Sequence, residues 1–153
     1  MNLVLWRHAE AESKTPDHAR ARTDRGHLQV KRMAAWLNAR LPLDTRVLAS
    51  PAVRAQQTVA ALQRAFTTSA VLDTTTDSAT DSASVLRALG LRDTGGTMLL
   101  VGHQPTLGYL AALLLTGTEC NLAMNPAAVW WLELNGGHGV HAHLRAVMTP
   151  DML

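Results

Sequence analysis

RVLASPAVRAQQT, residues 46–58, sets a short apolar run, Arg46 to Ala49, directly against Ser50-Pro51. A buried strand that ends on a capping serine and a proline suited to a first helical turn predicts strand, tight turn, helix, with the helix running from Pro51 to about Phe66. The same unit recurs on both sides. Upstream, Asn2 to Trp6 reads as a buried strand, and a polar stretch from Glu10 to Arg22 leads into Leu28, Val30, Met33, Ala34, Trp36, Leu37 and Leu41 at near-helical spacing. Gly26 stands early in that run and Pro42 closes it. Downstream, Val71 and Leu72 begin a weaker strand, the residues up to Ser84 read as loop, and Val85 to Leu91 as a short helix. Gly95-Gly96 marks a turn before a buried strand, Thr97 to Val101, and an apolar helix from about Thr106 to Leu115. Ala127 to Leu134 and Val140 to Val147 flank Asn135-Gly136-Gly137 as a hairpin.

Strands alternating with helices imply right-handed crossovers and a largely parallel sheet covered on both faces. The expected class is α/β: a three-layer α/β/α sandwich in one domain, residues 1–153, with the C-terminal hairpin adding an antiparallel edge. Hydrophobic residues at 47% against 17% charged suit a globular chain and exclude a disordered or fibrous one. The opening run, Met1 to Trp6, is too short for a membrane span or a signal peptide, so a cytoplasmic protein without membrane association is expected. Cys120 is the one cysteine, which leaves no internal disulfide and predicts a buried, unreactive thiol.

The net charge is only +2, but residues 1–54 carry ten Lys and Arg against five Asp and Glu, and the remainder four against seven. The basic residues come singly, without aromatic interleaving, which argues against nucleic acid and for a small anionic group. In open α/β sheets a ligand lies beyond the carboxyl ends of the strands. Arg7-His8 follows the first strand, Arg54 lies in the first turn after the second, and His103 follows TMLLV, so the three segments are expected to converge. Two guanidiniums and two imidazoles suit a phosphoryl group: arginine forks meet its oxygens, a neutral His8 attacks phosphorus, and His103 donates a proton. Arginines then bear the charge, so neither a metal nor another cofactor is expected.

LWRHAEAE, LASPAVRAQQT and LLVGHQP, in that order, with TDRGHLQVKRMAAWL between the first two, resemble the histidine phosphatase superfamily from Met1 to about Leu115. That resemblance implies a phosphoglycerate mutase-like fold, with His8 as nucleophile, Arg7 and Arg54 as phosphate ligands and His103 as electrostatic partner. The short length and the RHAEAE opening are most similar to SixA-type phosphohistidine phosphatases. Position 9 is Ala where the family has Gly, and Arg20-Ala21-Arg22-Thr23 stands where it often has Arg-Pro-Leu-Thr. Larger relatives use a carboxylate after the third strand as general acid, a role that would fall to Asp73 among Asp73, Asp77 and Asp81. A phosphohistidine substrate relaxes that need, because its protonated imidazole leaves as a neutral ring.

The expected activity is hydrolysis of phosphohistidine on a protein by a monomer. Small phosphoesters are the alternative substrate, and a non-catalytic phosphate or phosphopeptide module the alternative class. Glu10 and Glu12 read as loop charge or as groups that steer a substrate or orient a basic side chain. Trp130 and Trp131, adjacent on a strand, are expected to face opposite sides, one in the core. His138, His141 and His143 read as exposed edge-strand residues rather than metal ligands.

Overall fold

The computed structural model describes residues 1–62, 67–71, 82, 85–86, 95–135 and 141–153, those at 67–71 by backbone alone. Six strands, β1 (Asn2–Arg7), β2 (Arg46–Ala49), β3 (Thr67–Val71), β4 (Thr97–Gly102), β5 (Val129–Asn135) and β6 (His141–Met148), form one sheet in the order β3-β2-β4-β1-β5-β6. The first four are mutually parallel, and β5 and β6 add an antiparallel margin. Helices α1 (Asp24–Asn38), α2 (Val53–Val59) and α3 (Thr106–Thr116) accompany them. No helix among the described residues is long and apolar enough to cross a membrane.

Alternation along the strands sorts the core into two layers. Val4 and Trp6 of β1, Val47 and Ala49 of β2, and Leu99 and Val101 of β4 pack under α1 and α2. Leu3 and Leu5, Leu48, and Met98 and Leu100 point the other way, onto Leu107, Leu110 and Leu114 of α3. Strands buried on both faces read as unbroken apolar runs, which is why β1, β2 and β4 stand where the sequence places them. α1 starts on Thr23, whose hydroxyl accepts from the Gly26 amide at 3.0 Å, and buries Val30, Met33, Ala34 and Leu37. Leu28, expected on the apolar stripe, is 64% exposed.

Other expectations are corrected. α2 begins at Val53, not Pro51, and Ser50 does not cap it. β3 starts at Thr67, four residues before Val71. Ala127 precedes β5 rather than opening it, in a left-handed conformation. Trp130 and Trp131 do take opposite faces, but both are only partly buried. Cys120 is exposed, because it lies in an irregular stretch after α3 instead of on a packed face. Ser82, Val85 and Leu86 are helical. α2 also ends early, at Val59 with Ala60 as its C-cap, instead of near Phe66. Asp73, Asp77, Asp81, His138, the hairpin turn and the expected end of the third helix lie outside the described residues.

Candidate active site

β1 and β4 are paired in parallel with Arg7 opposite Gly102, so His8 and His103 leave the sheet side by side at its carboxyl edge. The His8 amide donates to the Gly102 carbonyl at 3.0 Å. The two rings lie 4.9 Å apart between centres, tilted by 57°. β2 borders β4 on its other side and feeds α2, whose Arg54 is 7% exposed and donates through Nε to His8 Nε2 at 3.2 Å. Arg7 anchors itself by donating from Nη1 to the Met124 carbonyl, while its buried Nε has no partner among the described residues. His8, Arg54 and His103 thus form one contact group, and Arg7, next to His8, adds its charge to the same ring.

Two contacts fix the protonation of His8. Its Nδ1 lies 2.7 Å from the Ala9 carbonyl oxygen, which can only accept, so Nδ1 bears the proton and donates. Nε2 faces an Arg54 N–H, which can only donate, so Nε2 holds the lone pair. Burial above all, then the positive surroundings of His103, Arg54 and Arg7, pulls the ring's pKa down to about 3, against a partial rise from the Ala9 contact. His8 is therefore neutral at physiological pH.

His103 is lowered to about 4, again first by burial and then by the charge of Arg54. Its Nε2 lies 2.6 Å from Ser50 Oγ, which also accepts from the Ala52 amide at 3.3 Å. The Ser50 hydroxyl proton has no other acceptor among the described residues, so it goes to Nε2 and the ring proton sits on Nδ1. That Nδ1 is buried and unpartnered, as is Arg7 Nε. A buried donor without an acceptor is costly, so each would gain from one.

Four further groups belong to the site. Thr58, the last residue of the second motif, donates to the Arg54 carbonyl at 2.7 Å and accepts from the Ala9 amide at 3.4 Å, tying α2 to the loop behind His8. Ala127, at φ 59°, donates to the His8 carbonyl at 3.1 Å and accepts from Trp6 Nε1 at 3.1 Å. Asp17, in a single 3-10 turn (Asp17–Ala19), accepts from Arg54 through both its carbonyl, at 2.6 Å, and its carboxylate, at 2.8 Å. Arg20 donates to the other carboxylate oxygen of Asp17 at 2.7 Å. Sequence reasoning missed the roles of all four, and for Asp17 and Ala127 no sequence pattern offers a signal. Of the two glutamates, Glu10 accepts from Thr23 at 3.0 Å and pairs with Arg25 at 3.6 Å, anchoring the start of α1, and Glu12 pairs with exposed Lys14. His141 and His143 are exposed on the edge strand β6.

Beyond Glu10 an open groove of about 540 Å³ runs between α1 and residues 125–126 and 150–151, lined by Arg25, Leu28, Arg32 and Asp151 among others.

No family model and no curated protein matches the sequence. Solved structures do. The protein histidine phosphatase SixA in complex with tungstate is 27% identical, with a TM-score of 0.83 over 99% of both chains. A protein designated phosphohistidine phosphatase SixA from Nakamurella multipartitia is 25% identical, with a TM-score of 0.76 over 97% of this chain and 95% of that one. A phosphoserine phosphatase mutant from Entamoeba histolytica, at 14% identity and a TM-score of 0.66 over 99% and 98%, shares the fold. The chain therefore carries the phosphoglycerate mutase-like fold of the histidine phosphatase superfamily and, over its whole length, is similar to SixA.

Proposed function

We propose that this chain is a phosphatase that works through a covalent phosphohistidine at His8, with phosphohistidine on a protein as its preferred substrate. The observation that carries this reading is the tautomer of His8: a proton committed to the Ala9 carbonyl at 2.7 Å and a lone pair on Nε2 beside a guanidinium. Nε2 attacks phosphorus in line, and the bond from phosphorus to the leaving nitrogen breaks. The substrate imidazole, protonated on its other nitrogen, departs as a neutral ring. Water then attacks phosphorus, the bond to Nε2 breaks, and its electron pair returns to His8 while the phosphate leaves as dihydrogen phosphate. Because Nδ1 keeps its proton throughout, His8 is also a neutral leaving group in this second step. Arg7, Arg54 and the Nδ1–H of His103 offset charge on the transferring oxygens, a load that arginine carries without a metal.

Two features support a protein substrate: the likeness to SixA over the whole chain, and the groove that begins two residues beyond His8 and has room for a polypeptide. A phosphoester would need a proton donor for its alkoxide. Asp17 is unsuited, since hydrogen bonds from Arg20 and Arg54 hold its carboxyl at about 2; Asp73 remains the proposed donor for that chemistry. The test is trapping of an acid-labile, alkali-stable phosphoenzyme and its mapping to His8. His8→Ala should lower turnover of an aryl phosphate by at least about a thousandfold. Retained turnover would overturn the mechanism, and unchanged phosphate binding with no turnover by the native chain would make it a binding module. A preference of about a hundredfold in kcat/KM for small phosphoesters over a phosphohistidine protein would overturn the substrate.

A further inference from the structure

Arg54 commits each of its three nitrogens, leaving one hydrogen on each terminal nitrogen. Its Nε donates to His8, its Nη1 to the Asp17 carbonyl and its Nη2 to the Asp17 carboxylate. A phosphoryl group that takes the edge of this fork facing Asp17 must displace the carboxylate. The Asp17 carboxylate spans two arginines, one oxygen on Arg54 at 2.8 Å and the other on Arg20 at 2.7 Å, much as two oxygens of a phosphoryl group would. Asp17 is also the partner best able to move. Its side chain is 55% exposed, against 8% for Arg54, and it sits on one isolated 3-10 turn that buries no residue. Arg20 is fixed independently, because its Nε donates to the Glu12 carbonyl.

Resting on the phosphatase reading of this site, we infer that Asp17 is an internal occupant of the anion position between Arg54 and Arg20, and that Arg20 becomes a third arginine of the phosphoryl site once substrate displaces it. Exchange of one anion for another keeps both guanidiniums paired at every stage, so neither is left desolvated and alone. The carboxylate stays ionised down to about pH 2, so it competes at every pH at which the protein works. An anion carrying two charges and more oxygens outcompetes a single carboxylate, whereas weakly charged anions do not. The device thus filters for phosphoryl groups.

The experiment is calorimetric titration of the full chain with inorganic phosphate, alongside steady-state kinetics on an aryl phosphate. Asp17→Asn should tighten phosphate binding by about fivefold or more and lower KM in parallel, since the amide keeps the shape but loses the charge. Adding Arg20→Ala to that variant should weaken phosphate again by about tenfold. Unchanged or weaker phosphate binding by Asp17→Asn would overturn the inference and make Asp17 a clamp that holds Arg54 in place. So would a null effect of Arg20→Ala. Tighter phosphate binding without turnover by the native chain would sustain this inference and remove the phosphatase reading. Phosphate bound by neither protein, with no turnover, would overturn both.

Discussion

His8 and His103 titrate far below an unfolded histidine, and this couples the site to stability. In the unfolded chain both take up a proton near pH 6.5; in the folded chain they do so only near about 3 and about 4. Between pH 6.5 and about 4 the unfolded state thus binds more protons, and stability falls as pH falls through that window. A melting curve followed from pH 7 to pH 4.5 should show a declining Tm, and His103→Gln should flatten part of the decline. A Tm independent of pH in both proteins would contradict the buried, neutral state of these rings. Ala127 makes a separate prediction. A left-handed backbone excludes β-branched side chains, and the residue is fully buried between His8 and Trp6. Ala127→Val should cost about 2 kcal/mol or more and lower Tm by at least about 4 °C, with a fall in turnover through the shifted His8 carbonyl. His8, Arg7, Arg54 and His103 were legible because each adjoins a strand end or helix start that the apolar pattern marks. Asp17 and Ala127 were not, since their roles come from partners 37 and 119 positions away, pairings set only by the finished fold.

Elements meet the site at close quarters, and Gly26 shows how close. A Cβ there would stand 2.1 Å from the Glu10 carbonyl oxygen, so the first turn of α1 packs directly on the loop that leaves His8. Gly26→Ala must push that loop or the helix away. We expect a loss of about 2 kcal/mol, about 5 °C in Tm, together with reduced kcat, whereas an exposed substitution such as Lys31→Ala should change neither. Unaltered stability in Gly26→Ala would show that the two elements can separate freely. The helix pattern disclosed that α1 exists but not which glycine touches what. α2 carries the corresponding lesson. Serine followed by proline reads as a helix cap on local grounds; Ser50 accepts from the Ala52 amide and also meets His103, and the helix starts at Val53. Trp36 and Trp131 likewise meet edge to face at 6.2 Å, joining α1 to β5 in a contact that no spacing announces.

At the scale of the molecule, the sheet sorts function to one edge and leaves a groove beside it. The alternation of strands and helices gave this architecture away in the sequence, because doubly buried strands and crossover helices have distinct periods. Strand order beyond the hairpin did not show, since it depends on which neighbours pair. Leu28, apolar yet 64% exposed, lines the groove, and on the proposed function it is a contact for the polypeptide that carries the phosphohistidine. Leu28→Arg should raise KM for a phosphohistidine protein by about tenfold and leave the aryl phosphate within about twofold, the loss of over about 1 kcal/mol expected when an apolar anchor of an interface is blocked. Equal effects on both substrates would place the protein elsewhere. The pairing of Arg7 with Gly102 has a broader bearing on how such a chain tolerates change. His8 and His103 are meshed like teeth on two adjacent racks, so inserting or deleting a single residue within either rack flips the imidazole it carries to the opposite side of the sheet. Loops that carry no part of the site are free to grow or shrink over generations, while the count of residues from the matched pair to each histidine is locked.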